Sequence, residues 1–274
     1  MTHLFCSFPA TDKPHFRHRQ NTSAYGFTLL ELAIVLVVIG LLTGGVLVGK
    51  SLIRTAQLRA VVTEFDHYTK AVKEFQDKFQ NLPGDMATAT ANWTMTDVFD
   101  GGGNGRIGSS DSAGVQGDFE EWFYAWPHLA RAGFVDGSFT GVGSGINSGV
   151  VGENLPVSQL SPGGWTLSYY INVDVSNEVW PEAYGHVFWF GAANNTGDAT
   201  IGGSTTNAVL TADEAYSIDE KIDDAKPGTG KVRPFRPIHV YSGNCTENDT
   251  TAEGQTYKTG SSDIACSLFF IAGF

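Results

Sequence analysis

The sequence predicts an α+β protein: one long N-terminal helix, apolar in its first half and amphipathic in its second, packed on an antiparallel sheet with glycine-rich loop insertions. Three observations carry this. Residues 27–49 form an apolar run with a single ionisable group, Glu31. Leu58, Val61, Phe65, Tyr68, Val72, Phe75 and Phe79 then recur at alternating spacings of three and four, the period of one helix face. The remainder holds short runs rich in Tyr, Trp, Phe and Val between stretches of glycine, of which the chain has 33 in 274 residues, more than long helices absorb.

Residues 1–26 differ from everything after them. They carry Lys13, Arg17 and Arg19 against one acid, Asp12, and contain no apolar run of signal-peptide length. The apolar run follows them directly, whereas an ordinary secretory signal places its cleavage site after the apolar stretch. At about 1.5 Å per residue its 23 positions reach across the roughly 30 Å hydrocarbon core of a bilayer. Lys50 and Arg54 close it. A buried core helix is the competing reading, but such helices seldom run this long without polar residues. Glu31 is the costly residue of the span, and a carboxylate there marks a functional position unless it sits at headgroup level. The basic flank keeps the start cytoplasmic and places the body outside. In that oxidising compartment Cys245 and Cys266 are expected to pair, leaving Cys6 with the leader.

Ala24-Tyr25-Gly26-Phe27-Thr28-Leu29-Leu30-Glu31-Leu32 resembles the cleavage and methylation motif of type IV prepilins and type II secretion pseudopilins. The resemblance implies that residues 1–26 are a leader removed by prepilin peptidase between Gly26 and Phe27, and that Phe27 is N-methylated. It implies that Glu31, the fifth mature residue, pairs with the terminal amine of a neighbouring subunit. It also implies an inner-membrane assembly platform and other pilin or pseudopilin subunits as partners, with a single-pass inner-membrane precursor whose head lies in the periplasm. The strong motif covers residues 24–50. The leader is longer than those of many pseudopilins, and Val48 stands where many pilins carry a kinking proline.

Residues 27–80 are therefore expected to be one helix, stopped by Asn81-Leu82-Pro83-Gly84, with a globular head at 81–274. Residues 119–132 predict a second helix with Phe119, Trp122, Trp126 and Leu129 on one face, kinked or split at Pro127. That aromatic face reads as core rather than a ligand platform. Residues 101–117 and 136–164 read as Gly/Ser-rich loops, and residues 165–175, 186–192, 238–241 and 264–274 as strands. Residues 211–222 open with Thr-Ala-Asp-Glu, a capping box, and predict a short helix.

Other constellations bear on chemistry. Gly44 to Ser51 spells G-x4-G-K-S, the phosphate-loop pattern, but it lies inside the apolar run. Asp100, Asn104 and Asp111 fall at positions 1, 5 and 12 of a calcium-loop pattern, with Gly102 in place of a ligand at position 3 and Glu120 or Glu121 as substitutes. Calcium sites in pilin-like heads are part of what the resemblance implies; a plain loop is the competing reading. Lys221, Lys226, Lys231, Arg233 and Arg236 form a basic run, but Asp219, Glu220, Asp223 and Asp224 interleave with it, so it reads as a solvated turn. A formal charge of −12 argues against general nucleic-acid binding. His67, His128, His186 and His239 show no H-E-x-x-H spacing, and no G-x-S-x-G elbow appears, so nothing supports an enzyme. The expected function is a structural subunit, large or minor, of a type IV pilus or secretion pseudopilus. The alternatives are a surface binding module using its loops, as an adhesin or uptake pilin does, and a membrane-anchored enzyme.

Overall fold

The computed structural model describes residues 26–93, 98–108, 120–143, 148–171, 183–195, 203–235, 245–247 and 254–274. By internal contacts the chain divides after Gly49 into two units. Helix α1 (Leu29–Phe79) begins in the first and runs unbroken into the second through Gly40, Gly44, Gly45 and Gly49. The phosphate-loop letters thus lie wholly in helix, where backbone N–H groups bond carbonyls four residues back and cannot cradle a phosphate. The helix ends at Phe79, ahead of Pro83, which cannot extend it.

In the second unit, α1 buries Leu58, Val61, Phe65, Tyr68, Ala71, Val72 and Phe75, the predicted stripe with Ala71 added and Phe79 half-buried at its end. The other elements are α2 (Ala89–Asn92), α3 (Glu121–Ala132), β1 (Gly164–Ile171), β2 (Ala183–Gly191), α4 (Ala212–Ile222), β3 (Val232–Phe235), β4 (Thr246–Glu247), β5 (Thr256–Tyr257) and β6 (Ser267–Ile271). Four strands make one antiparallel sheet in the order β1-β2-β6-β3, while β4 and β5 pair separately. Trp165, Leu167, Phe188, Phe190, Leu268 and Phe270 face the α1 core, and Tyr170, Val187, Trp189, Phe235 and Phe269 form a second cluster on the opposite face. Burial on both faces is why β2 reads as a continuous apolar run rather than an alternation. Phe65 meets Phe188 and Phe270 at ring distances of 5.9 and 4.9 Å, and Tyr68 meets Trp126 and Trp165 at 5.1 and 5.8 Å.

The predicted α4 carries its capping box: the Thr211 hydroxyl accepts from the Glu214 N–H, and the Glu214 carboxylate accepts from the Thr211 N–H. The same carboxylate takes both forks of Arg54, at 2.6 and 2.7 Å, and Arg54 also donates to the Val209 carbonyl, so the start of α4 is clamped to α1.

Two expectations need correction. Pro127 does not split α3, because the burial of Trp122, Trp126 and Leu129 outweighs one lost backbone bond. Residues 232–235 are a strand, not part of a solvated turn: Arg233 is buried, its guanidinium over the Tyr184 ring and bonded to the Tyr184 hydroxyl. Pro234 fits because β3 is an edge strand. Short α2, β4 and β5 had no sequence expectation. The strand expected at 238–241, the Phe119 end of the second helix and residues 172–175 lie outside the described residues.

Candidate functional site

The start of α1 is set by a local exchange of hydrogen bonds. The Thr28 hydroxyl accepts from the Glu31 N–H at 3.2 Å, while the Glu31 carboxylate accepts from the Thr28 N–H at 2.8 Å and its hydroxyl at 3.0 Å. Thr followed three residues later by Glu is the reciprocal cap that satisfies donors at a helix N-terminus. Gly26 and Phe27 stand just before the first turn, exposed and outside the helix. Gly26 and Phe27 thus directly precede the capped first turn that holds Glu31.

Beyond Glu31 the apolar segment is exposed on every side, with Leu36 70% and Leu41 73% accessible. Its one remaining polar side chain, Thr43, donates within its own helix to the Ile39 or Gly40 carbonyl, at 2.9 and 3.1 Å. Nothing polar in the side chains of residues 32–49 is left needing water. A bare apolar cylinder of this length has to be covered by lipid or by other chains.

Residues 21–47 match the family of the prokaryotic N-terminal methylation motif. The match spans the bond between Gly26 and Phe27, Glu31 and most of the apolar run. The chain therefore carries the N-terminal motif of a precursor of the pilin and pseudopilin type. No curated protein and no solved structure matches it.

In the head, the glycine-rich segment predicted to hold calcium is organised by carboxylates and backbone N–H groups. Asp85, buried, accepts from Asn104 N–H and Gly105 N–H, each at 2.8 Å. Glu121, also buried, accepts from Gly102 N–H at 2.6 Å and Gly108 N–H at 2.7 Å. Gly101 passes so close to the Gly84 carbonyl and the Asp85 backbone that a Cβ would overlap them, so only glycine serves there. Asp100 turns instead to Thr90, accepting from its N–H and hydroxyl at 2.8 Å each; the backbone bond holds its carboxyl below the usual range. The Asn104 side-chain oxygen accepts from Arg106 N–H. Asp100 and Asn104 are thus engaged separately, and Asp111 lies outside the described residues. Sequence reading named Glu121 only as a substitute ligand and missed Asp85, although an acid on each flank of a glycine run was a visible signal.

Replacing Asp85 by alanine is expected to strand two N–H groups and lower stability by about 3 kcal/mol. Asp100→Ala, at an exposed position, should cost no more than about 1 kcal/mol. Thermal unfolding followed by near-UV circular dichroism separates the two.

Cys245 and Cys266 are joined by a disulfide with Cα atoms 5.2 Å apart, tying the start of β4 to the residue before β6. Among the described histidines, His67 is exposed, while His128 and His186 are buried and hydrogen-bonded. Burial lowers both buried rings below the usual histidine range, His128 to about 4, so both stay neutral near pH 7.

Proposed function

We propose that this chain is a structural filament subunit made as a membrane-anchored precursor. Prepilin peptidase cuts between Gly26 and Phe27 at the cytoplasmic face and methylates the new Phe27 amine. The mature chain waits in the inner membrane, head outward, and an inner-membrane assembly platform draws it into a type IV pilus or a secretion pseudopilus. The observation that carries this reading is the methylation motif at residues 21–47 laid over a helix whose apolar half is exposed on all sides. In the bundle Glu31 needs a cation once it leaves water, and the ammonium freed at Phe27 of a neighbouring subunit supplies one.

The test is intact-mass and N-terminal analysis of the chain from a host holding its prepilin peptidase, beside Gly26→Ala. The expected result is an N-methylated terminus at Phe27 that the variant loses. An uncut chain, or one cut after the apolar run, overturns the proposal.

A further inference from the structure

A cavity of about 420 Å³ opens between α1, the end of α4, Lys231 just before β3 and the end of β6. Its lining divides into two kinds of surface. Val62, Phe65, Ile222, Ile271 and Ala272 are apolar, and Phe65 and Ala272 are buried, so they form the floor. Lys73, Lys221 and Lys231 are exposed and reach the rim from three separate stretches of chain. Among the described residues none of the three pairs with a carboxylate. The rim thus carries three positive charges against one negative, Asp66, on a chain whose formal charge is −12.

The fold holds these amines around one opening. Lys221 lies in the last turn of α4, and the Lys231 backbone is fixed twice. Its N–H donates to Asp223 Oδ2, and its carbonyl accepts from the Ile271 N–H at 2.8 Å. Asp223 and Asp224 on the same turn accept from backbone N–H groups and the Thr229 hydroxyl, and neither lines the cavity. Thr69 stands on the α1 wall, and its hydroxyl is buried with no hydrogen-bond partner. A buried hydroxyl left unbonded is costly and uncommon, and an acceptor placed in the cavity would relieve it. Solvated lysines alone are ordinary surface. The apolar floor and the unbonded hydroxyl between them set this place apart.

We propose that this cavity binds a small organic acid, with its carboxylate among the lysines and its apolar body on the floor around Phe65. The volume falls in the range of small-ligand sites, which join an apolar lining to a few polar groups. Lysines act as separate point charges and offer no fork for bidentate phosphate recognition. The C-terminal end of α4 also faces this opening with the negative end of its dipole, which disfavours a dianion more than a single carboxylate. Every lining residue belongs to the second unit, so the proposal does not rest on processing at Gly26.

The test titrates the full chain in nonionic detergent with benzoate, benzylamine and inorganic phosphate by calorimetry. Wild type is expected to bind one benzoate at about 10⁻³ M, and less tightly as salt is raised. Benzylamine and phosphate should bind more weakly by about tenfold or more. Lys73→Gln combined with Lys231→Gln changes two exposed residues, should keep Tm, and should weaken benzoate about fivefold or more. Lys70→Gln, on an exposed lysine of α1 outside the cavity, should leave benzoate binding unchanged. Absence of saturable benzoate binding in wild type overturns the proposal, as does an equal loss in Lys70→Gln. Benzoate uptake that the double variant keeps in full is partition into detergent, and it overturns the proposal too. Benzylamine or phosphate binding as tight as benzoate shows a bare apolar dent or a bare anion site, and either result likewise overturns it.

Discussion

Exchanging His128 for glutamine should flatten the acid dependence of stability by about 3 kcal/mol between pH 6.5 and pH 4. His128 is fully buried on α3. Its Nδ1 accepts from the Gly84 N–H at 2.9 Å, so the proton sits on Nε2 and is donated to the Phe99 carbonyl, also at 2.9 Å. One ring therefore pins the turn after α1 and the strand of chain before the glycine-rich loop, and it stacks on Phe75 at 6.2 Å. Burial lowers its pKa from 6.5 to about 4. Above pH 6.5 neither the folded nor the unfolded chain protonates this ring, and its contribution is complete. As pH falls, the unfolded chain takes up a proton that the folded chain refuses, so stability drops until the folded pKa is reached. Some 2.5 units at about 1.4 kcal/mol each give about 3 kcal/mol.

The raw pH curve mixes this with other groups. His186, also lowered by burial, acts in the same direction. Asp219, pushed up to about 6 by burial, acts in the opposite one, gaining stability as pH falls through that value. The difference between wild type and His128→Gln isolates the ring, because glutamine keeps an acceptor and a donor but does not titrate. Urea unfolding followed by tryptophan fluorescence at several pH values measures it. Equal slopes in both proteins would mean that the ring is charged in the fold.

What the sequence made legible follows from how local each signal is. The helix α1 was readable because its stripe repeats over twenty residues, and α4 because a capping box is a four-residue code. The first turn at Thr28 and Glu31 was readable as a processing motif, but its own reciprocal cap was not drawn from the same letters, although they spell one. Strand β3 was missed because Pro234 and its basic neighbours look like turn chemistry, and only a place at the sheet edge reconciles them with a strand. The order β1-β2-β6-β3 depends on pairings between distant segments, which no local pattern encodes. Asp85, Glu121 and Asp219 share a different obstacle. Their partners are backbone N–H groups, a tyrosine hydroxyl or nothing, and burial alone sets them apart from the surface acids around them.

Truncating Phe188 to alanine should cost about 3–5 kcal/mol and lower Tm by about 10 °C or more. Its ring, fully buried on β2, stands 5.9 Å from Phe65 and 6.3 Å from Tyr68 on α1. It also lies 6.5 Å from Trp126 on α3, 6.3 Å from Trp165 on β1 and 6.3 Å from Phe274. A side chain enclosed by three elements and the C-terminal Phe274 leaves a cavity that no single one of them can move to fill, which places the loss at the upper end of the usual range. Leu36→Ala supplies the contrast: it removes a side chain of similar character from the exposed apolar segment and should shift head unfolding by less than about 0.5 kcal/mol. Near-UV circular dichroism of both variants in detergent tests the pair, since Trp126 and Trp165 lie in the core that Phe188 fills. If Leu36→Ala lowered the head's Tm as much as Phe188→Ala, the head would not draw its stability from the sheet and the amphipathic half of α1. A small effect of Phe188→Ala would instead mean that the aromatic core repacks, and that the stripe from Leu58 to Phe75 holds the sheet through its aliphatic members.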